Sequence, residues 1–356
     1  MSQLRTLALT LLTACGDPPL QAEGKFVNLY HDGIRTPCGG TLSALDRFVA
    51  DLRAEFGAPP PTAGAVEYYW VDEDMVTDRC PRASSGCVQW PSERLYATLF
   101  PHTHEVVHAA AIPLGEAPSW LSEGLAMAYQ GSDDDDVTFR SPNALELIAE
   151  ARALPSDLYG DAGAWVRHLV DRFGIAAVAR YYAALPRLAS ARTTFKQFEE
   201  VFAVPLLDVA LEFRDRFDGC SLTGMSINLW ECGAPELPWD GDEIVVHRTL
   251  DCAQDDVVGP YDGDLATLFH TVDVAEPGLY ELRFTATLHD GDVTASGNGL
   301  ALARCDSSCE LGLFTILAAG DTQILALQPG RHYLELQGPA ASATQVAFTL
   351  RHIRSE

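Results

Sequence analysis

The spacing of His104 and His108, four residues apart in the stretch His104-Glu105-Val106-Val107-His108, is the strongest constraint on how this chain can fold. On an α-helix, residues four apart project from one face, one turn above each other. Two imidazoles placed in this way can share one tetrahedral metal ion. Glu105 lies beside them, where its carboxylate can reach a water on that metal without ligating it, as a general base must. The pattern therefore predicts a helix with a candidate metal centre on one face.

A second stretch, Pro118-Ser119-Trp120-Leu121-Ser122-Glu123-Gly124-Leu125-Ala126, supplies a candidate third ligand in Glu123. Three protein ligands leave the fourth position of a tetrahedral metal open to water, which distinguishes a catalytic zinc site from a closed structural one. Glu116 is the competing candidate, but it lies in a loop bounded by glycine and proline, so Glu123 is preferred.

Prolines mark the expected starts of both helices. Pro101 is predicted either to begin the metal-binding helix or to kink one that starts near Ser92. Pro118 is expected to begin the second helix, and Gly124 to let that helix approach the first closely. His102, two residues before His104, is expected to point away from the metal-binding face.

The first fifteen residues resemble the export signal of a bacterial lipoprotein. Arg5 is followed by a short apolar segment, and Leu12-Thr13-Ala14-Cys15 resembles a lipobox. We therefore expect residues 1–14 to be a signal peptide, Cys15 to be the lipidated first residue, and residues 15–24 to be a tether. The membrane would then be a partner only through Cys15, with the protein on the periplasmic or cell-surface side. The alternatives are an ordinary signal peptide with an incidental cysteine, or a truncated start site.

The cysteine count is consistent with export. Of nine cysteines, a lipidated Cys15 leaves eight, and an even number in an exported chain predicts up to four disulfides. Cys80 with Cys87 and Cys305 with Cys309 are the expected local pairs, and the rest of the pairing is left open. A structural zinc held by cysteines is the weaker alternative, since no Cys-x-x-Cys pair occurs.

The charge of the chain excludes one class of partner. Fifty acidic residues stand against 24 basic ones, for a formal net charge of −26 at pH 7. Such a surface repels a phosphate backbone, so nucleic acid is not expected as a partner. At 356 residues and 47% hydrophobic composition, the chain can form two globular domains with separate cores.

Apolar periodicity separates a mixed N-terminal region from an all-β C-terminal region. We predict an α+β fold with a small α/β layer and helical bundle in residues 25–218, a cysteine-containing connector in 219–240, and an antiparallel β-sandwich in 241–356. Helices are predicted at 41–56, 163–173, 175–185, 193–202 and 206–217. Strands are predicted at 25–30, 66–71, 88–90 (an edge strand), 280–288, 299–303, 311–317, 322–327, 332–336 and 346–353.

The motif His104-Glu105-x-x-His108, followed by Trp120-Leu121-Ser122-Glu123-Gly124-Leu125-Ala126, resembles the gluzincin zinc metallopeptidases, specifically their peptidase-MA-like branch. Tyr159-Gly160-Asp161-Ala162-Gly163-Ala164-Trp165-Val166 and Asp171-Arg172-Phe173-Gly174 are also similar to that branch. The resemblance covers about residues 60–217 and implies a zincin-like catalytic domain. The C-terminal layout is similar to the β-sandwich appendages of secreted bacterial peptidases, although no single residue there is diagnostic.

The resemblance implies that His104, His108 and Glu123 hold one Zn²⁺ per chain. It also implies that Glu105 takes a proton from the zinc-bound water and delivers it to the leaving amine. Tyr159 is the candidate donor to the developing oxyanion by its position in the motif.

Other aspects of the site stay open at the level of the sequence. Tyr181 and Tyr182 are alternatives to Tyr159 as the oxyanion donor. The Gly-x-Met-Glu-Asn motif of true aminopeptidases is absent, so recognition of a free N-terminus is not implied. Met127 stands four residues after Glu123 where an acid could support the histidines, so that support must come from elsewhere.

The function expected from these features is that of an exported zinc-dependent peptidase acting on a peptide or protein substrate. The alternatives are a non-catalytic surface binding protein on the same scaffold and a zinc hydrolase of a non-peptide amide.

The Asp-Gly-Asp triplets at 240–242, 262–264 and 290–292 suit hairpin turns. A Ca²⁺ site is the alternative there, and it needs six or more oxygen ligands. The oligomeric state is left open.

Overall fold

The computed structural model describes residues 17–33, 36–81, 85–130, 143–149, 154–216, 224–261, 265–288, 298–305 and 315–353. The expectations for the signal peptide and Cys15, for Cys220 and Cys309, and for the triplets at 262–264 and 290–292 lie outside these residues. Within them the chain is α+β, as predicted, with a mixed N-terminal part followed by antiparallel sheets.

The N-terminal part begins with a sheet of five described strands. These are β1 (Leu20–Glu23), β2 (Val27–His31), β3 (Val66–Trp70), β4 (Gly86–Gln89) and β5 (Arg94–Ala97). Their order is β1-β2-β3-β5-β4. The three central strands are parallel, whereas β1 and β4 pair antiparallel at the two edges. The predicted edge strand around Val88 is therefore present as β4.

Three helices pack against this sheet. α1 (Thr41–Glu55) and α3 (Thr103–Ala111) share one core with the buried side chains of β2 and β3, including Leu29 and Val66. α2 (Glu73–Arg79) packs through Val76 against Tyr69 and Tyr96, which belong to a separate small cluster. In α1, the buried residues recur at the three- and four-residue spacing that predicted an amphipathic helix.

A helical bundle follows, and its last four helices lie close to their predicted positions. They are α4 (Ser119–Gln130), α5 (Ala144–Ala149), α6 (Tyr159–Phe173), α7 (Ile175–Ala184), α8 (Ala191–Phe202) and α9 (Leu206–Arg216). Gly174, with φ of 80°, separates α6 from α7 in a conformation that glycine adopts without strain. Ser190 caps α8 by accepting a hydrogen bond from the backbone N–H of Thr193. No helix in the described ranges is both long and apolar enough to cross a membrane.

Three short elements differ from the sequence-based prediction. Arg94–Ala97 form a central strand rather than the start of a long kinked helix, because Leu95 and Ala97 are fully buried between β3 and β4. α2 lies where no helix was predicted. Leu20–Glu23, expected to belong to a tether, pair with β2 through their backbone even though their side chains are mostly exposed.

The C-terminal part follows a connector that contains the short helix α10 (Ser226–Leu229). Its strands are β6 (Glu243–Leu250), β7 (Val258–Tyr261), β8 (Leu265–Val274), β9 (Gly278–Leu288), β10 (Gly299–Arg304), β11 (Thr315–Ala318), β12 (Thr322–Leu327), β13 (Gly330–Pro339) and β14 (Thr344–Ile353). They form two antiparallel sheets, β11-β10-β13-β8-β7 and β12-β9-β14-β6, whose inner faces share one core. The strand predicted at 280–288 is confirmed as β9, in which the buried Tyr280, Leu282 and Phe284 alternate with more exposed residues.

Three disulfides join described cysteines: Cys38–Cys252, Cys80–Cys87 and Cys232–Cys305. The local Cys80–Cys87 pair is confirmed. The expected Cys305–Cys309 pair is wrong, because Cys305 bonds to Cys232 of the connector, with which it packs beside Ala303 and Tyr333. Sequence proximity favoured the local loop, but packing of the connector against the end of β10 places Cys232 there instead.

Candidate metal centre

The helix that carries the two histidines begins after Pro101, at Thr103. It therefore neither starts at the proline nor continues from Ser92 as a kinked helix. His104 and Glu105 are buried in its first turn and His108 is half-buried one turn later. The helical spacing places both imidazoles on one face, as predicted.

The second helix, α4, is positioned mainly by its contact with α6. A Cβ atom at Gly124 would lie 2.6 Å from the carbonyl oxygen of Ala162 and 2.7 Å from Cγ2 of Val166. Gly163 has the reciprocal role, since a Cβ there would lie 2.8 Å from Cβ of Met127. Gly124 thus permits close approach to α6, not to α3 as expected. This contact fixes the helix from which Glu123 projects.

His104, His108 and Glu123 converge as a group that could hold a metal ion. The Nε2 atoms of the two histidines are 3.2 Å apart, and Oε2 of Glu123 is 3.2 Å from His104 Nε2 and 3.3 Å from His108 Nε2. Two atoms bound tetrahedrally to zinc at their usual bond lengths are about 3.3 Å apart. The three atoms therefore match one face of a zinc coordination tetrahedron. Glu116, the competing third ligand, instead pairs with Arg187 at 2.7 Å.

The outer nitrogens of both histidines have uncharged partners. His104 Nδ1 lies 2.9 Å from Oε1 of Gln130, and His108 Nδ1 lies 3.2 Å from Oγ of Ser122. A neutral imidazole that carries its proton on Nδ1 presents the Nε2 lone pair to the centre. The Nε2 lone pairs and the Glu123 carboxylate then point at one position, an arrangement that is electrostatically complementary to a cation.

The charge of Glu123 is stabilised by the two histidines. Burial alone would raise the pKa of this carboxyl group, but in the metal-free site hydrogen bonds and the coulombic effect of the two imidazoles hold it well below its usual value. A bound metal would take the place of the protons in those hydrogen bonds. Glu123 is therefore an anion at neutral pH, the form in which a carboxylate binds a metal.

Glu105 is buried next to the ligand group without belonging to it. Burial raises the pKa of its carboxyl group to about 7, with a smaller opposing effect of His104. Its side chain lies against the edge strand β4, where a Cβ at Gly86 would be only 2.8 Å from its Cγ. The absence of a side chain at Gly86 therefore leaves the space that Glu105 occupies.

The three candidate tyrosines occupy different environments. Tyr159 stacks parallel to His104, with ring centroids 6.2 Å apart, and its hydroxyl hydrogen-bonds to Glu123. Tyr182 is buried and donates to Oγ of Ser122 at 3.2 Å. Tyr181 donates to the backbone carbonyl of Thr194 at 3.3 Å, within the bundle. Tyr159 and Tyr182 are therefore next to the candidate centre, whereas Tyr181 is not.

The ligand group lines a cleft of about 780 Å³. Glu105, Tyr159 and Tyr182 also line it, and the half-exposed Trp90 and the Glu116–Arg187 ion pair lie along it. His102 lines the cleft as well, with Nε2 3.2 Å from Oγ of Ser85. Burial, with smaller effects of His104 and His108, lowers the pKa of His102 to about 4, so its ring is neutral.

Sequence reasoning did not anticipate four of these contacts. Gln130 and Ser122 support the histidines, Gly86 borders Glu105, and His102 faces the cleft rather than away from it. Ser122 directly precedes Glu123 in the Trp-Leu-Ser-Glu-Gly motif. Its position next to a candidate ligand was a sequence signal for a supporting hydrogen bond. No sequence signal pointed to Gly86.

Comparisons with known proteins do not identify a family. No protein-family model matches the sequence, and no curated protein matches it. A pre-peptidase C-terminal domain of collagenase from Bacillus anthracis aligns with 33% of this chain and 92% of its own, at 14% identity and a TM-score of 0.22. A β-(1,4)-mannanase from Podospora anserina aligns with 33% of this chain and 29% of its own, at 15% identity and a TM-score of 0.19.

Proposed function

We propose that this protein is an exported zinc-dependent peptidase of the gluzincin type. The observation that carries the proposal is the triangle of ligand atoms from His104, His108 and Glu123, with the buried carboxyl group of Glu105 beside it in an open cleft. The geometric match to a zinc tetrahedron favours this metal over Mg²⁺ or Ca²⁺, which prefer six or more oxygen ligands.

Zinc, when bound, would supply a Lewis acid that polarises a carbonyl group and brings the pKa of a water to about 7. Glu105 would then receive the proton of the attacking water and pass it to the amine that leaves when the C–N bond breaks. Its buried position and its contact with Gly86 hold the carboxyl group beside the ligand atoms rather than in solvent. One carboxyl group thus accepts and returns the same proton, and the hydrolysis balances without a second acid.

Tyr159 is the proposed donor to the oxygen that becomes negative during attack. Its ring is held parallel to His104, and its hydroxyl lies at the ligand group, within hydrogen-bonding reach of Glu123. A phenol is a hydrogen-bond donor at neutral pH, and a donor aimed at a developing oxyanion is a large source of rate enhancement.

The edge strand β4 is the proposed docking surface for the substrate backbone. In the described chain it pairs only with β5, so its other edge offers N–H and C=O groups that an extended peptide can bond. β4 lies beside Glu105 through Gly86 and ends next to Trp90, which is 53% exposed. A peptide paired there would pass the ligand group, which favours a peptide substrate over a small amide.

We further propose that the protein is exported. Three disulfides among the described cysteines are typical of an oxidising compartment. The lipobox-like stretch ending at Cys15 would tether it to a membrane. A mature protein whose N-terminal peptide lacks a lipid on Cys15, as measured by mass spectrometry, would contradict the anchor.

The peptidase proposal is tested by the cleavage profile of a peptide mixture with and without a zinc chelator. Wild-type protein should cleave peptides, bind one zinc per chain, and lose activity reversibly on chelation. Glu105→Gln should keep zinc and lose at least about 10³-fold in kcat/KM, since the proton acceptor is removed. Glu199→Gln, an exposed change on α8, is the matched control and should have no effect.

Activity that survives in Glu105→Gln would rule out the proposed mechanism. Zinc bound at one equivalent without cleavage of any peptide would favour the alternative of a binding protein on this scaffold. Hydrolysis of amides other than peptide bonds would favour the alternative of a zinc hydrolase that acts on non-peptide amides.

A further inference from the structure

The buried hydroxyl of Tyr182 has no part in the proposed reaction, yet it is fully engaged. It donates to Oγ of Ser122 at 3.2 Å and accepts a hydrogen bond from the backbone N–H of Ala117. Ser122 Oγ in turn lies 3.2 Å from Nδ1 of His108. A continuous chain of hydrogen bonds thus runs from the loop before α4, through α7, to one of the candidate metal ligands.

The direction of this chain follows from the role of His108. Its Nε2 atom faces His104 and Glu123, so a neutral ring that ligates through Nε2 carries its proton on Nδ1. Nδ1–H therefore donates to Ser122 Oγ. The serine oxygen has two acceptor positions, and the donors from Tyr182 and His108 occupy both.

Tyr182 also restricts where the Ser122 hydroxyl can lie. A serine on a helix can turn its hydroxyl back to the carbonyl of the residue four positions earlier, which here is Pro118. The hydrogen bond from Tyr182 favours the rotamer that faces His108 instead. Because Tyr182 is itself buried and bonded to the backbone of Ala117, this position is defined by the packing of α7 rather than by solvent.

We propose that Ser122 and Tyr182 are positioning residues, which hold His108 in the Nδ1–H tautomer and orientation that bind a metal. They thereby set the metal affinity of the site. This inference rests on the metal centre of the proposed function but not on its peptidase activity. Outer partners of metal-bound histidines typically change metal affinity or activity by about 10–100-fold when removed.

The chain itself offers a matched control. Tyr181 is adjacent to Tyr182, is also buried, and also donates its hydroxyl in a hydrogen bond, but its partner is the Thr194 carbonyl in the bundle. Tyr181→Phe and Tyr182→Phe each delete one buried hydroxyl from α7. Only the second deletion breaks the chain to His108, so a general loss of packing affects both variants and a loss of positioning affects one.

The experiment measures zinc affinity of the purified full chain by competition with a chromophoric chelator. Ser122→Ala should weaken binding by about 10–100-fold and Tyr182→Phe by about 3–10-fold, because the serine is retained in the latter. Tyr181→Phe should stay within about twofold of wild type, and Ser122→Thr, which keeps a hydroxyl, should restore most of the affinity. In the zinc-bound protein, nitrogen NMR should show the Nδ1–H of His108 protected from exchange in wild type and less protected in Ser122→Ala.

Equal zinc affinity in wild type, Ser122→Ala and Tyr182→Phe would overturn the proposal, and so would an equal loss in Tyr181→Phe. A graded loss of affinity in a protein that cleaves no peptide would support the positioning role and contradict the peptidase. Cleavage of peptides by wild type, with zinc affinity unchanged in the variants, would support the peptidase and contradict the positioning role. If wild type binds no zinc, the metal centre is absent and the positioning role is overturned with it.

Discussion

Glu105 can act only if its carboxyl group stays where the structure places it, and one residue on another element controls that position. A Cβ at Gly86 would lie 2.8 Å from Cγ and 3.3 Å from Cδ of Glu105, and 3.0 Å from the Tyr96 carbonyl oxygen. The backbone oxygen of Tyr96 belongs to β5 and cannot move easily, so the side chain of Glu105 would have to give way. Glycine is thus required at position 86, because a side chain there would occupy the space of the Glu105 side chain.

Gly86→Ala should therefore reduce kcat/KM by about 10²-fold, the typical cost of displacing a catalytic group by about 1 Å. Zinc binding should be retained, because the atoms nearest to a Cβ at Gly86 belong to Glu105 and Tyr96 rather than to the three ligand side chains. Gly299→Ala is the control, since a Cβ there has no neighbour closer than 3.8 Å. Peptide cleavage and zinc content measured on both variants test this, and wild-type kcat/KM in Gly86→Ala would contradict it.

The limits of sequence reasoning are visible at these same residues. Helical periodicity was sufficient to bring His104 and His108 together, because their relation is local. Gly86 and Tyr182 reach the site through tertiary packing of β4 and α7, and no spacing in the sequence encodes that. His102 was expected to face away, but it stands at the N-cap of α3 with φ −110° and ψ 88°, so the 100° rotation per residue of a helix does not apply to it.

Among the elements, β4 is a short edge strand that a disulfide ties to its neighbour α2. It has four residues, lies at the edge of its sheet, and pairs on one side only within the described chain. Cys87 bonds it to Cys80, the C-cap of α2. The sequence predicted this disulfide because a short loop can close locally. It did not predict α2 or β5, because segments of seven and four residues are too short to show a clear periodicity. Tertiary packing decides the structure of such short segments.

Replacing Cys80 and Cys87 together by serine should loosen β4 and leave the metal ligands in place. In the chain-entropy description, a loop of this length contributes about 2–3 kcal/mol to the free energy of unfolding. We expect a lower melting temperature, faster amide hydrogen exchange at Gly86–Gln89 than in wild type, and reduced peptide cleavage with unchanged zinc content. Wild-type exchange rates in β4 would show that the strand is stable without the disulfide.

The two parts of the molecule have separate cores, and two long-range disulfides tie the C-terminal part to the segments that precede it. Cys38, just before α1, bonds to Cys252 after β6, and Cys232 beside α10 bonds to Cys305 after β10. Around the first link, Oγ1 of Thr41 donates to the carbonyl of Gly259 at 2.8 Å and accepts from its N–H at 2.9 Å. A small apolar cluster of Ala44, Val258 and Phe269 completes the contact. Periodicity predicted the strands of the sandwich, but pairings across 214 and 73 residues carry no local signal.

Because Cys38–Cys252 joins the two parts and Cys232–Cys305 ties the connector to the second of them, these disulfides should determine whether the molecule unfolds as one unit. Each closes a long loop, and in the chain-entropy description each contributes about 4–5 kcal/mol to the free energy of unfolding. The apolar cluster between the parts is small in comparison. Calorimetry of wild type should show one transition. The variant with Cys38, Cys252, Cys232 and Cys305 replaced by serine should show two transitions at lower temperature. The Cys80→Ser/Cys87→Ser variant, whose disulfide lies within the N-terminal part, should keep one. A single transition in the four-serine variant would mean that the noncovalent contact around Thr41 is enough to couple the two cores.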